Sequence, residues 1–116
     1  MALNKRNIGS EKERIAGQYL EEKGFTLLEY NYRTRMSEID IVARDKGVLV
    51  FVEVKYRKDL SDGHPLEAVT PQKQRRIRNA ALCYLEDHEL FPDQTAIRFD
   101  VVGILGDEIS HITDAF

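Results

Sequence analysis

The feature that most restricts the fold of this chain is a stretch whose side chains change character with a period of two. Across residues 38–43, Ile39, Ile41 and Ala43 fall on one face and Glu38, Asp40 and Val42 on the other. Successive strand side chains point to opposite sides, so this pattern predicts a strand. Asp45-Lys46-Gly47 then offers a turn with a glycine free to adopt positive φ, and residues 48–54 form a nearly unbroken hydrophobic run. Such a run suits a strand covered on both faces. It is therefore expected at the centre of a sheet, with Glu53 and Lys55 emerging at its end.

The flanking segments supply partners for that hairpin. Ile8, Ile15, Ala16, Tyr19 and Leu20 recur mainly at helical spacing, predicting a helix over 8–23 that stops at Gly24. Residues 25–32, rich in aromatic and branched side chains, read as a strand of imperfect alternation. Residues 59–65, with Gly63 and Pro65, are expected as an exposed loop. Thr70 and Pro71 then provide an N-cap and a first-turn proline for a second helix. Its apolar stripe is Ile77, Ala80, Ala81, Tyr84 and Leu85, and Lys73, Arg75, Arg76 and Arg78 crowd its first half. Pro92 marks its boundary. Residues 97–105 and 109–113 read as a hairpin turning at Gly106-Asp107. The order is α-β-β-β-α-β-β, and a mixed sheet covered by helices is the economical α/β arrangement. A length of 116 residues supplies one core, so residues 1–116 are expected to form a single domain.

Composition removes several function classes. With 42% apolar and 32% charged residues the chain is of ordinary globular type. No apolar stretch approaches the roughly 20 residues that span a bilayer, and the first 30 residues lack a secretion signal's apolar core, so a cytoplasmic protein without membrane contact is expected. The single cysteine, Cys83, cannot form an internal disulfide and is expected as a small buried residue of the second helix. There is no His/Cys zinc spacing and no glycine-rich phosphate loop. The net charge of −3 is unevenly spread: residues 33–78 hold eleven basic and seven acidic side chains, and residues 79–116 hold one and eight. The middle of the chain can therefore attract phosphate although the whole is acidic.

The chemistry-bearing constellation lies in that middle segment. Glu53 and Lys55, two apart on one strand, share a face. Pairing positions that sum to 91 sets Asp40 diagonal to Glu53, and a sum of 93 sets it directly opposite; a one-residue slip separates them. Both favourable registers stay open from sequence. Two adjacent carboxylates repel unless a proton or cation offsets them, and hard divalent ions such as Mg2+ or Mn2+ prefer oxygen ligands. Asp40, Glu53 and the Val54 carbonyl would then hold the ion, and Lys55 would orient water or stabilise the phosphate transition state. Glu-x-Lys alone is weak, since alternating charges on strands are commonly solvated, and an Asp40–Lys55 salt bridge is the structural alternative. Glu38 shares the face of Asp40, to pair Arg35 or support the site's edge. Arg33, Arg35, Lys73 and Arg76 are candidate phosphate contacts, and Tyr56 a candidate base-stacking residue.

These residues also carry a resemblance. Asn31-Tyr32-Arg33-Thr34-Arg35, Ser37-Glu38-Ile39-Asp40-Ile41-Val42-Ala43 and Phe51-Val52-Glu53-Val54-Lys55-Tyr56-Arg57, with Gly63, Ala68-Val69-Thr70-Pro71-Gln72-Lys73 and Ala80-Ala81, resemble the YraN family of uncharacterised bacterial proteins. Glu13, Ala16, Tyr19 and Leu20 fit its first helix. That family resembles the restriction-endonuclease-like fold and the archaeal Holliday junction resolvases of the PD-(D/E)xK nuclease group. The resemblance implies a metal site of Asp40, Glu53 and Lys55, with Glu13 reaching toward it from the first helix. Lys12 and Ser37 stand where the family usually has glycine.

The expectation is thus a Mg2+- or Mn2+-dependent endonuclease acting on DNA, branched DNA included, with Arg57 beside the other basic residues on the nucleic acid. A nucleic-acid-binding module without cleavage, or an acidic protein-interaction domain, are the alternatives. A homodimer would suit cutting both strands of a junction, although no interface is legible.

Overall fold

A computed structural model describes residues 11–116. The elements run α1 (Glu11–Glu22), β1 (Thr26–Arg33), β2 (Glu38–Asp45), β3 (Val48–Arg57), α2 (Pro71–Asp87), β4 (Ile97–Leu105) and β5 (Glu108–Ile112), in the order read from the sequence. The five strands form one sheet in chain order. The β1–β2, β2–β3 and β4–β5 pairs are antiparallel and β3–β4 is parallel. A parallel pair needs a long crossover, which α2 supplies. This is an α/β fold with a mixed sheet flanked by helices, consistent with a restriction-endonuclease-like topology.

Each helix seals one face. Ala16 and Leu20 of α1 pack with Ile41, Ala43, Val50, Val52 and Val102. Ile77, Ala80, Ala81, Tyr84 and Leu85 of α2 pack with Val42, Leu49, Phe51 and Phe99 on the other. In β3, Val50, Phe51 and Val52 are wholly buried. Each such side chain contributes on the order of 1.5–3 kcal/mol, so β3 is a firm platform for what lies at its end.

Local chemistry sets the boundaries. Gly24, at φ 97°, ends α1; its N–H donates to the Glu21 carbonyl and that of Phe25 to the Leu20 carbonyl, the two bonds of a Schellman stop. The start of the expected first helix at 8–10 lies outside the described residues. Lys46 and Gly47, at φ 51° and 85°, make the two-residue loop joining Asp45 to its partner Val48, the combination a type I′ hairpin turn demands. Thr70 Oγ1 accepts from the Lys73 N–H, as expected of the α2 cap.

One expectation is explained and three are corrected. The imperfect alternation of β1 comes from a bulge: Leu27 pairs Ala43 and Glu29 pairs Val42, so Leu28 is inserted and both leucines are buried on opposite faces. Ile39 packs with Tyr32 in the α2-side cluster, where strict alternation would place it with Ile41; Asn31, at φ 53°, interrupts the pleat of the neighbouring strand there. Residues 59–65 are not simply an exposed loop. Pro65 is buried in a short 3-10 turn, and Leu66 lies where a Cβ on Gly103 would sit, 2.9 Å from it. Cys83 is exposed, because the stripe at 77, 80, 81, 84 and 85 leaves position 83 on the flank of α2.

Candidate metal and nucleic-acid site

The β2–β3 ladder settles the register. Ile41 pairs Val52 and Val42 pairs Phe51, a sum of 93, and there the pairing stops. The next positions are Asp40 and Glu53. Asp40 continues the junction with its side chain: Oδ2 accepts the Val54 N–H at 2.8 Å. The N–H and C=O of one strand residue face the same neighbour, so the Val54 carbonyl is turned toward Asp40 as well. The carboxylate thus sits where two strands part, beside a backbone carbonyl.

Glu53 is only 5% exposed. Its carboxyl is pushed well above the usual range, first by burial, then by hydrogen bonding to Asp40 and by the Asp40 charge; Lys73 and Lys55 oppose the rise. Lys73 Nζ of α2 lies 3.6 Å from Glu53 Oε2. Lys55, half-buried, shares the Glu53 face and is close enough to favour its charge. The Asp40–Lys55 salt bridge of the structural alternative does not form; the ion pair at this site is Lys73–Glu53. Lys73, expected on nucleic acid, is thus part of the site, a role its position one turn into α2 could have suggested once α2 was placed over β3.

The other candidates separate. Arg33 Nε pairs Glu38 Oε2 at 3.1 Å, so Glu38 is engaged by Arg33 and not by Arg35. Arg35 and Arg76 are exposed and border one groove on the α2 side. Tyr56, 37% exposed, carries Lys12 Nζ over its ring at 4.3 Å. Lys12 thus reaches the end of β3. Arg57 Nη1 donates to the Tyr56 carbonyl. Glu13 is buried in α1, where its charge acts on Tyr30. Among the described residues no group of three or more acidic, histidine or cysteine side chains is placed to hold a metal ion.

Sequence reasoning missed a second polar cluster, on the α1 side. Asp100, wholly buried, accepts from Arg98 Nε and Nη2, from His111 Nε2 at 2.8 Å and from the Asp114 N–H. Arg98 also reaches Asp45. Lys23 Nζ lies 2.7 Å from His111 Nδ1; an ammonium can only donate, so Nδ1 accepts and Nε2 carries the ring proton to Asp100. The signal in the sequence was Arg98-x-Asp100, opposite charges on one face of an otherwise apolar strand.

The donor set of the first cluster suits a hard divalent ion. A carboxyl whose ionisation is opposed first by burial and then by its carboxylate neighbour, with a backbone carbonyl turned the same way, gains most from a small oxygen-preferring cation. Family and relatives agree on kinship. Residues 12–104 match the model of the uncharacterised protein family UPF0102. A relative from Lachnoclostridium phytofermentans is 54% identical, covering 98% of this chain and 96% of its own. One from Chlorobium phaeobacteroides is 41% identical over the whole chain and 98% of its own, and one from Coxiella burnetii is 42% identical over 93% and 90%. The fold, a mixed α/β sheet flanked by helices, resembles that of the nuclease superfamily. The chain belongs to the UPF0102, or YraN, family, a PD-(D/E)xK-like family of uncharacterised bacterial proteins.

Proposed function

We propose that this protein is a Mg2+- or Mn2+-dependent endonuclease that hydrolyses DNA phosphodiester bonds, branched DNA included. The observation that carries the reading is Asp40 set opposite a buried Glu53 at the point where β2 and β3 part, with Lys55 on the same face. Asp40, Glu53 and the Val54 carbonyl would hold the ion, which supplies positive charge against the phosphate. Lys55 would hold the attacking water and offset charge on the pentavalent phosphorus. Lys73 would release Glu53 and turn to the DNA backbone. A DNA-binding module without cleavage is the second reading, favoured by the ammonium of Lys73 already lying against Glu53.

The test is cleavage of a branched duplex with Mg2+ or Mn2+, with metal affinity measured in parallel. Asp40→Asn and Glu53→Gln should each lower cleavage at least ~100-fold while circular dichroism and DNA binding persist. Wild-type cleavage matched by both variants would sink the mechanism. Binding without cleavage under any divalent ion would select the second reading.

A further inference from the structure

On the side of the sheet that carries the carboxylate pair, a groove of about 370 Å3 runs between the β1–β2 turn and the flank of α2. Its walls are Arg35 and Met36 from the turn and Arg76, Asn79, Ala80 and Cys83 from the helix. No acidic side chain lines it, in a protein of net charge −3. Two guanidinium groups, an amide and an apolar floor make a set that fits a nucleotide: charge for phosphate, an apolar surface for a base, and an amide for its edge.

The turn is built to hold Met36 out. Thr34 N–H donates to the Ser37 carbonyl, and Thr34 Oγ1 accepts from the N–H groups of Met36 and Ser37. On this fixed turn the Met36 side chain is 85% exposed, more than any other large hydrophobic residue of the described chain. An unbranched apolar side chain beside two arginines is of the kind that wedges between base steps. Distance along α2 ties the groove to the site. Lys73 touches Glu53, and Arg76, Asn79 and Cys83 follow on successive turns. At 1.5 Å per residue the groove's middle lies roughly 10 Å from Lys73, about three stacked nucleotides along one strand.

We propose that Met36 wedges into DNA and that the groove takes an unpaired base a few nucleotides from the phosphate held at Asp40 and Glu53, so that the preferred substrate is DNA with an unstacked nucleotide. This rests on the nuclease-site reading for where the strand lies, and it deepens that reading by naming the substrate's shape. A fully paired duplex would leave the groove empty.

Binding is read without metal, in EDTA, so the result does not depend on cleavage. Two duplexes of one sequence are compared, one fully paired and one with a single bulged 2-aminopurine. Wild type should prefer the bulged duplex by at least ~10-fold and change its 2-aminopurine fluorescence. Met36→Ser and Asn79→Ala should bring the ratio toward ~1, and Met36→Leu should restore it. Cys83, the sole cysteine, supplies a second readout. At saturation the bulged duplex should slow its alkylation by N-ethylmaleimide at least ~10-fold, and the paired duplex should not. Equal affinity for the two duplexes, or equal Cys83 protection by both at saturation, overturns the inference even in a protein that cleaves DNA. A bulge preference lost in Met36→Ser upholds it even where no divalent ion elicits cleavage. Failure to bind either duplex in EDTA also overturns the inference, whereas the nuclease reading falls only on the metal-dependent cleavage test.

Discussion

Asp100 and Glu53 are both buried carboxylates on strands of one sheet, on opposite faces, and their surroundings push them in opposite directions. For Asp100, burial alone would raise the carboxyl, but bonds from His111, Arg98 and the Asp114 N–H outweigh it and hold the group down at about 2. For Glu53, burial, the Asp40 hydrogen bond and the Asp40 charge all raise it, and the lysines only partly answer. One acid has been given donors from three elements. The other has been given a second acid. A saturated carboxylate is a structural clamp tying β4 to β5 and, through Lys23, to α1. An undersatisfied pair at a strand end is where the proposed cation would offset the charge.

The largest effect expected from this contrast is on folding. Asp100→Asn leaves the shape but puts an NH2 group among donors that already point inward. Breaking a buried ion pair from one side costs about 3–5 kcal/mol, so urea unfolding should shift by that order. A loss below ~1 kcal/mol would mean that the clamp is idle.

Next in size is the acid limb of stability. The folded value of Asp100, about 2, lies below its ordinary 3.8. In that window the unfolded chain binds the extra proton, so the stabilisation is complete above about 4 and disappears as pH falls toward 2. It amounts to about 2 kcal/mol, and unfolding curves from pH 5 to pH 2 should show it in wild type and not in Asp100→Asn.

How much of this was visible in the sequence follows the same division. Period-two patterning, the Lys46-Gly47 turn, the Thr70 cap and the α2 stripe are local signals, and each element they mark is present. Asp40 and Glu53 were legible as a pair because one hairpin carries both, leaving only the register open. What escaped depends on contacts across the chain. Lys73 meets Glu53 only because the crossover lays α2 over β3, and Asp100 meets His111 only through the β4–β5 pairing and the C-terminal turn. Leu66 over Gly103 and Cys83 on the open flank of α2 likewise depend on where helix and loop dock.

The smallest effect expected lies at the other carboxylate, and its sign is reversed. Glu53 titrates above its ordinary 4.5 in the folded protein. From pH 4.5 upward the folded state therefore holds the extra proton, and metal-free stability falls as pH rises. Glu53→Gln keeps the hydrogen-bonding shape beside Asp40 and cannot ionise. Lys73, about one-third exposed, can turn to water when its partner goes. In EDTA at pH 9 the variant should thus be the more stable protein, by on the order of 1 kcal/mol or about 4 °C in Tm, with little difference at pH 5. Millimolar Mg2+ should invert the order, because only wild type has two carboxylates for the ion and gains from its binding. A Glu53→Gln protein less stable than wild type at pH 9 in EDTA would show the Lys73–Glu53 ion pair to be a clamp like that of Asp100. The contrast between the two faces of the sheet would then collapse.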